Sequence, residues 1–235
     1  MTRFPTCRLV PRGLFLRGLP LRRLILLAVV AAVSTGCASP QPYPYAGLAS
    51  TPELRPNPAD DSGHVPYRLP RTVDWGQYGS VIVDPVIVYR GADHQFEDIS
   101  DDDKAVLAGE MRRVFAAELK QRFRLTTVPD VGTLLVRLTL TGAKTTTRVV
   151  STFTRFDLAG GPYNAVQAVR GKEGAFTGSI SYAVEILDAS TQELLGAYVT
   201  KQYPNAWNLG ATFGRLDAAR VGIDKGAEDL LAQLR

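Results

Sequence analysis

Residues 133–143 read TLLVRLTLTGA. Leu134, Val136, Leu138 and Leu140 fall on one face, the period-two pattern of a strand buried on one side. Residues 176–187 repeat the pattern with Ile180, Tyr182, Val184 and Ile186. A polar turn over 188–193 follows, and 194–203 returns as a hairpin partner. These three segments read as an antiparallel meander.

Upstream, residues 80–89 (SVIVDPVIVY) are β-branched and suit a strand in which Pro85 marks an edge or a bulge. Residues 100–122 are the clearest helix, with Leu107, Met111, Val114, Phe115 and Leu119 on one apolar face. Ser100 and Asp103 form a capping box, and Asp101 and Asp102 suit the positive helix N-terminus. Residues 124–128 fit a short strand before Pro129. A last helix over 216–234 turns Ala219, Ile223, Ala227, Leu230, Leu231 and Leu234 to the core. Strands cluster in the middle and helices do not alternate with them. The expected fold is therefore α+β: an antiparallel sheet, meander plus hairpin, with two helices packed on one face.

The N-terminus has the layout of an export signal. Arg3, Arg8, Arg12, Arg17, Arg22 and Arg23 precede an apolar run over 24–33, and Ser34, Thr35 and Gly36 lead to Cys37. The run is shorter than the roughly 20 apolar residues that span a bilayer, so a cleaved signal fits better than a permanent helix. Small residues followed by Cys resemble the lipobox of bacterial lipoproteins, in which lipid is attached to the thiol and the chain is cut before it. Arg22-Arg23 matches the twin-arginine export motif poorly at its flanks, which leaves the Sec route. The expected organisation is a signal peptide over 1–36, a lipidated Pro-rich tether over 37–70 and one globular domain over 71–235. Eight of the 15 prolines lie in the tether, which shows no apolar periodicity and is expected to be an extended, solvated spacer.

The net charge of +4 belongs to the signal. Six of the 27 basic residues and none of the 23 acids precede Cys37, so the remainder holds 21 basic against 23 acidic side chains. That balance offers no basic patch for nucleic acid. With Cys7 removed and Cys37 lipidated, the domain has no thiol for a disulfide or a zinc site. The two histidines, His64 and His94, sit in the tether and in a loop. No nucleophile elbow or phosphate loop is present. Glu97, Asp98, Asp101, Asp102 and Asp103 lack calcium-loop spacing and are explained by helix capping. The sequence thus assigns no catalytic residue, metal or cofactor, and the chain is read as a non-enzyme.

Two segments are left unexplained by core packing: the connection over 145–174, with a possible short helix at 162–170, and YPNAWNLGATF over 203–213. In a meander, alternate connections share one end of the sheet. Tyr163 and Asn164 are thereby expected near Asn205 and Trp207, as a candidate binding surface or as an aromatic plug of the sheet end.

The stretches DWGQYGSVIVDPVIVYRGADHQF (74–96), GGPYNAVQAVRGKEGAFTGSISYAVEILDAS (160–190) and KQYPNAWN (201–208) resemble the bacterial lipoproteins grouped as domain-of-unknown-function family 3313. The likeness covers about residues 72–235, and the lipobox ahead of a Pro-rich segment matches too. It implies a lipoprotein of Gram-negative bacteria and carries over no catalytic residue. Ala38 and Ser39 lack the Asp that retains lipoproteins at the inner membrane, so the resemblance implies the periplasmic face of the outer membrane. The leading expectation is an interaction protein docking onto an envelope partner. The alternative is a module binding a small envelope ligand, glycan or lipid, at the Trp207 end, and an envelope hydrolase ranks last.

Overall fold

The computed structural model describes residues 41–145, 178–204 and 214–235. The strands are β1 (Arg55–Pro56), β2 (Tyr67–Arg68), β3 (Ser80–Val83), β4 (Ile87–Val88), β5 (Gln95–Glu97), β6 (Arg124–Leu125), β7 (Thr133–Lys144), β8 (Ser179–Asp188) and β9 (Leu194–Gln202). The helices are α1 (Asp101–Leu119) and α2 (Asp217–Gln233). One sheet runs in the order β1-β2-β9-β8-β7-β3-β6, with β4 and β5 also paired to β7.

β7, β8 and β9 form the meander that alternation anticipates, and every pairing among them is antiparallel. Leu134, Val136, Leu138 and Leu140 join Ile180, Tyr182, Val184 and Ile186 in the main core. α1 covers this face with Leu107, Met111, Phe115 and Leu119, each fully buried. The spacing of four places all four on one stripe of the helix. Ser100 Oγ accepts the Asp103 N–H at 3.1 Å and so caps α1. α2 lies on the same face, with Ala219, Ile223, Ala227, Leu230, Leu231 and Leu234 buried.

The sheet is mixed, not purely antiparallel as the sequence suggests. β3, β4 and β5 all pair with β7 in parallel, and β3 pairs with β6 in parallel. The reason is the connection: the chain passes through α1 before it enters β7, and a helical crossover returns a strand in its original direction. Residues 80–89 form two strands, β3 and β4, separated at Pro85, which has no N–H for the ladder. Gly142, at the irregularity in the β7–β8 register, lets β5 approach. A Cβ there would lie 2.5 Å from the Gln95 carbonyl oxygen.

A second correction concerns the expected tether. From residue 45 to 54, and again at Leu69, the chain is packed against the sheet face opposite the helices, while Val65 packs against the helix-side core. Tyr45, Leu48, Leu54 and Leu69 are buried on the opposite face with Tyr89, Ala183, Ala197 and Val199. β1 and β2 extend the sheet beyond β9. Both faces of the central strands are therefore covered. The prolines do not prevent this, because the segment buries single side chains against an existing surface and needs only two residues in each strand.

Candidate functional site

Cys37, Tyr163, Asn164, Asn205 and Trp207 lie outside the described residues. The roots of the two long connections are described. Lys144 at the end of β7 pairs with Ser179 at the start of β8, and Ile180 pairs with Gln202 at the end of β9. Both connections leave the same end of the sheet, opposite the turn at Asp188.

Toward that end of β9 the structure holds a half-open cleft of about 280 Å³, built in part by residues that composition had assigned to a spacer. Its outer wall is the segment between β1 and β2. Asn57 N–H donates to the Pro66 carbonyl at 2.8 Å, and Asn57 Nδ2 donates to the Val65 carbonyl at 2.9 Å, closing that segment into a loop. His64 fastens the loop to β9: its carbonyl accepts the Lys201 N–H at 2.9 Å, and its Nδ1 lies 2.9 Å from the Lys201 carbonyl. Its ring stacks on Tyr203, with centroids 4.3 Å apart. His64 is thus a structural member of the fold.

The floor of the cleft is Tyr182, Tyr198 and Gln202, and the inner wall is Gly226, Asp229 and Gln233 of α2. Asn57, Asp60 and Arg68 face them from the loop side. Gln202 Nε2 reaches Thr200 Oγ1 at 3.3 Å and Asp229 Oδ2 at 3.4 Å, linking β9 to α2. Lys225 Nζ donates to Asp229 Oδ1 from one turn earlier on the helix. Gly226 is required by the packing, since a Cβ there would sit 1.7 Å from the Tyr182 hydroxyl oxygen.

The Tyr182 hydroxyl is fully buried and has no hydrogen-bond partner among the described residues. A buried hydroxyl without a partner is costly, about 1–3 kcal/mol, so this group is a local weak point in the packing beneath the cleft. Burial first, then the nearby Tyr198 and Asp229, push its pKa well above the ordinary tyrosine range. Tyr198 is raised likewise, by burial and then by Asp229. Neither phenol is poised for proton transfer near neutral pH.

Asp60 is partly desolvated, which acts to raise its pKa. The Ser62 hydroxyl and the N–H groups of Val65 and Ser62 outweigh that effect and hold the carboxyl below the usual range. It is committed to its own turn, through the Ser62 and Val65 N–H groups. The cleft therefore offers amides, phenols and carboxylates for recognition, with its carboxylates already engaged. Among the described residues no group of three or more His, Cys, Asp or Glu is placed to hold a metal ion. No described helix is long and apolar enough to cross a membrane.

A second feature lies at the opposite end of the sheet. Leu125, Val128 and Val131, on β6 and the loop that follows it, are 40%, 61% and 85% exposed. Neither feature was anticipated from sequence. The isolated Leu and Tyr residues of 45–69 were the available signal that this segment packs onto the sheet, since such residues can be buried among prolines.

The family described as a protein of unknown function, DUF3313, matches residues 44–230. Its start coincides with the packed segment on the sheet's second face. No curated protein matches the chain. Among solved structures, a PelC dodecamer from Paraburkholderia phytofirmans is similar at 10% identity, covering 66% of this chain and 89% of that one, with a TM-score of 0.37. The hypothetical protein CT253 from Chlamydia trachomatis is similar at 12% identity over 67% of this chain and 95% of that one, TM-score 0.36. Protein XCC0632 from Xanthomonas campestris, of family DUF330, gives 8% identity, 77% and 89% coverage and a TM-score of 0.36. At these scores the likenesses carry no argument about function.

Proposed function

The chain belongs to the DUF3313 family, and within it we propose a lipid-anchored, non-catalytic binding protein of the Gram-negative envelope. Lipid on Cys37 holds it to the periplasmic face of the outer membrane after Sec export, and the cleft between α2, β9 and the 57–68 loop takes a small hydroxyl-rich ligand of glycan type. The observation that carries this reading is the cleft itself, floored by Tyr182, Tyr198 and Gln202 and walled by Asn57, Asp60, Asp229 and Gln233. The amides of Asn57, Gln202 and Gln233, with the Asp60 and Asp229 carboxylates and Arg68, suit the hydroxyl groups of a sugar. An acyl chain would need a more apolar lining.

The test is titration of the mature chain with a panel of neutral and amino oligosaccharides, followed by NMR chemical shifts. Binding should move the resonances of Gln202, Tyr198 and Gly226, and Gln202→Ala should weaken it at least tenfold. Absence of shifts across the panel, or shifts confined to other surfaces, would overturn the proposal. A second reading, docking of an envelope protein, is supported by the exposed apolar side chains of Leu125, Val128 and Val131. Val131→Asp should abolish capture of such a partner from detergent-extracted envelopes and leave oligosaccharide binding intact.

A further inference from the structure

The beginning of the described chain is clamped to one place on the sheet. Gln95 Nε2 donates to the Gln41 carbonyl at 2.9 Å, and Gln95 Oε1 accepts the Tyr45 hydroxyl at 2.9 Å. The Tyr43 hydroxyl donates to the Asp93 carbonyl at 2.6 Å, and Asp93 Oδ2 accepts the Ala46 N–H at 3.1 Å. The Tyr89 hydroxyl donates to Asp93 Oδ1 at 2.7 Å and accepts the Gly47 N–H at 3.1 Å. The rings of Tyr43, Tyr45 and Tyr89 stand in sequence, 5.1 and 5.4 Å apart.

Gln95 pairs with Gly142, near the end of β7 from which the first long connection leaves. Thr133, at the other end of β7, is nine residues away, about 30 Å at the rise of a strand. The loop bearing Val128 and Val131 lies beyond it. On the other side of the clamp, only Ala38, Ser39 and Pro40 separate Cys37 from Gln41. Four residue steps reach at most about 14 Å at full extension.

We infer that the sheet end carrying Gln95, Lys144 and Ser179 faces the bilayer, and that the Leu125–Val131 end is held away from it. This rests on the lipid anchor at Cys37 in the proposed function. To turn the sheet over, Gln41 would have to stand about 30 Å above the lipid surface, roughly twice what the chain can reach. The partner of the proximal end is therefore the lipid surface itself. The roots of both long connections and the Gln202 end of the cleft lie on that side. The exposed apolar loop points to the periplasm.

The experiment uses the lipidated mature chain, purified from membranes and reconstituted into phosphatidylethanolamine–phosphatidylglycerol vesicles. Ala92→Cys and Val131→Cys each introduce one free thiol for a fluorescent donor, and a headgroup-labelled lipid serves as acceptor. Energy transfer should be several-fold more efficient from position 92 than from position 131. Inserting a long Gly/Ser segment between Ser39 and Pro40 should bring the two values together. Equal transfer in the native chain, or stronger transfer from position 131, overturns the orientation while the anchor stands. An unchanged difference after the insertion overturns the short chain as its cause. A chain that fails to float with the vesicles overturns the anchor and the orientation together.

Discussion

The Ser50 N–H donates to the carboxylate of Glu185 at 2.7 Å, across 135 positions of sequence and on the sheet face away from the helices. Both residues are buried. The contact ties the segment before β1 to the middle of β8, where an acid would otherwise have no reason to be covered. Glu185→Ala would leave a buried N–H without an acceptor and should cost about 1–3 kcal/mol. Glu185→Gln keeps an acceptor oxygen and should cost clearly less. Urea unfolding of the two variants checks the order.

Residues 41–70 are expected to be part of the cooperative unit. A chain beginning at Arg71 would expose Ala183, Ala197 and Val199 and lose Tyr45, Leu48, Leu54 and Leu69 from their cluster. Each large side chain removed from its site forfeits about 1.5–3 kcal/mol, so this chain should melt far lower or fail to fold. Leu54→Ala is the milder version and should cost about 2–5 kcal/mol. Thermal unfolding followed by circular dichroism reads both. An unchanged melting temperature would restore the spacer interpretation.

Two helical glycines should respond in opposite directions. Gly109 on α1 is exposed and a Cβ there meets nothing within 4 Å, so Gly109→Ala should stabilise by about 0.5–1 kcal/mol. Gly226→Ala places its Cβ 1.7 Å from the Tyr182 hydroxyl oxygen and 2.9 Å from Cζ. The strain should exceed the gain in helix propensity and destabilise by about 1–3 kcal/mol. Tyr182→Phe removes the nearer atom and should recover part of the loss in the double variant. Additivity of the two changes in a denaturation cycle would contradict the contact.

Asp188 predicts an acid-dependent component of stability. The Ser190 hydroxyl above all, then the N–H groups of Thr191 and Ser190 and the Tyr78 hydroxyl, outweigh partial burial and hold its pKa at about 2, below the ordinary 3.8. A carboxyl with a depressed folded pKa stabilises fully above its unfolded pKa, and that contribution fades as pH falls through the folded value. Asp188→Asn should therefore lower the melting temperature at pH 6, and the difference from the parent should shrink from pH 4 to pH 2. A difference independent of pH would show that the turn, not the charge, is responsible.

Lipid on Cys37 is expected to anchor the chain to the membrane. Growth with an alkyne fatty acid should tag the protein, and Cys37→Ser should remove the tag and release the chain to the soluble fraction. Two or more acyl chains are enough for stable anchoring, whereas one is marginal. Retention of untagged Cys37→Ser protein in the membrane would contradict the anchor.

Elements whose side chains repeat were legible from the amino-acid order. Alternation over 133–143 fixes β7 with its apolar face inward, because a period of two has no other regular solution. The four-residue spacing from Leu107 to Leu119, begun by Ser100, fixes α1 in the same way. The polar run after Ile186 and Leu187 locates the Asp188 turn, whose carboxylate accepts the Ser190 N–H at 2.8 Å and the Thr191 N–H at 3.0 Å. What lacks a period could not be read. That β3, β4 and β5 run parallel to β7 has no such signature, since strand direction follows from the path of the connection through α1. Nor does any repeat announce that Tyr45, Leu48, Leu54 and Leu69 are buried one at a time on the second face, among prolines. The cleft belongs to the same class: Asn57 and Gln233 are its neighbours in space and stand near opposite ends of the described chain. Long-range contacts of this kind are selected by the shape of a surface that exists only once the sheet has formed.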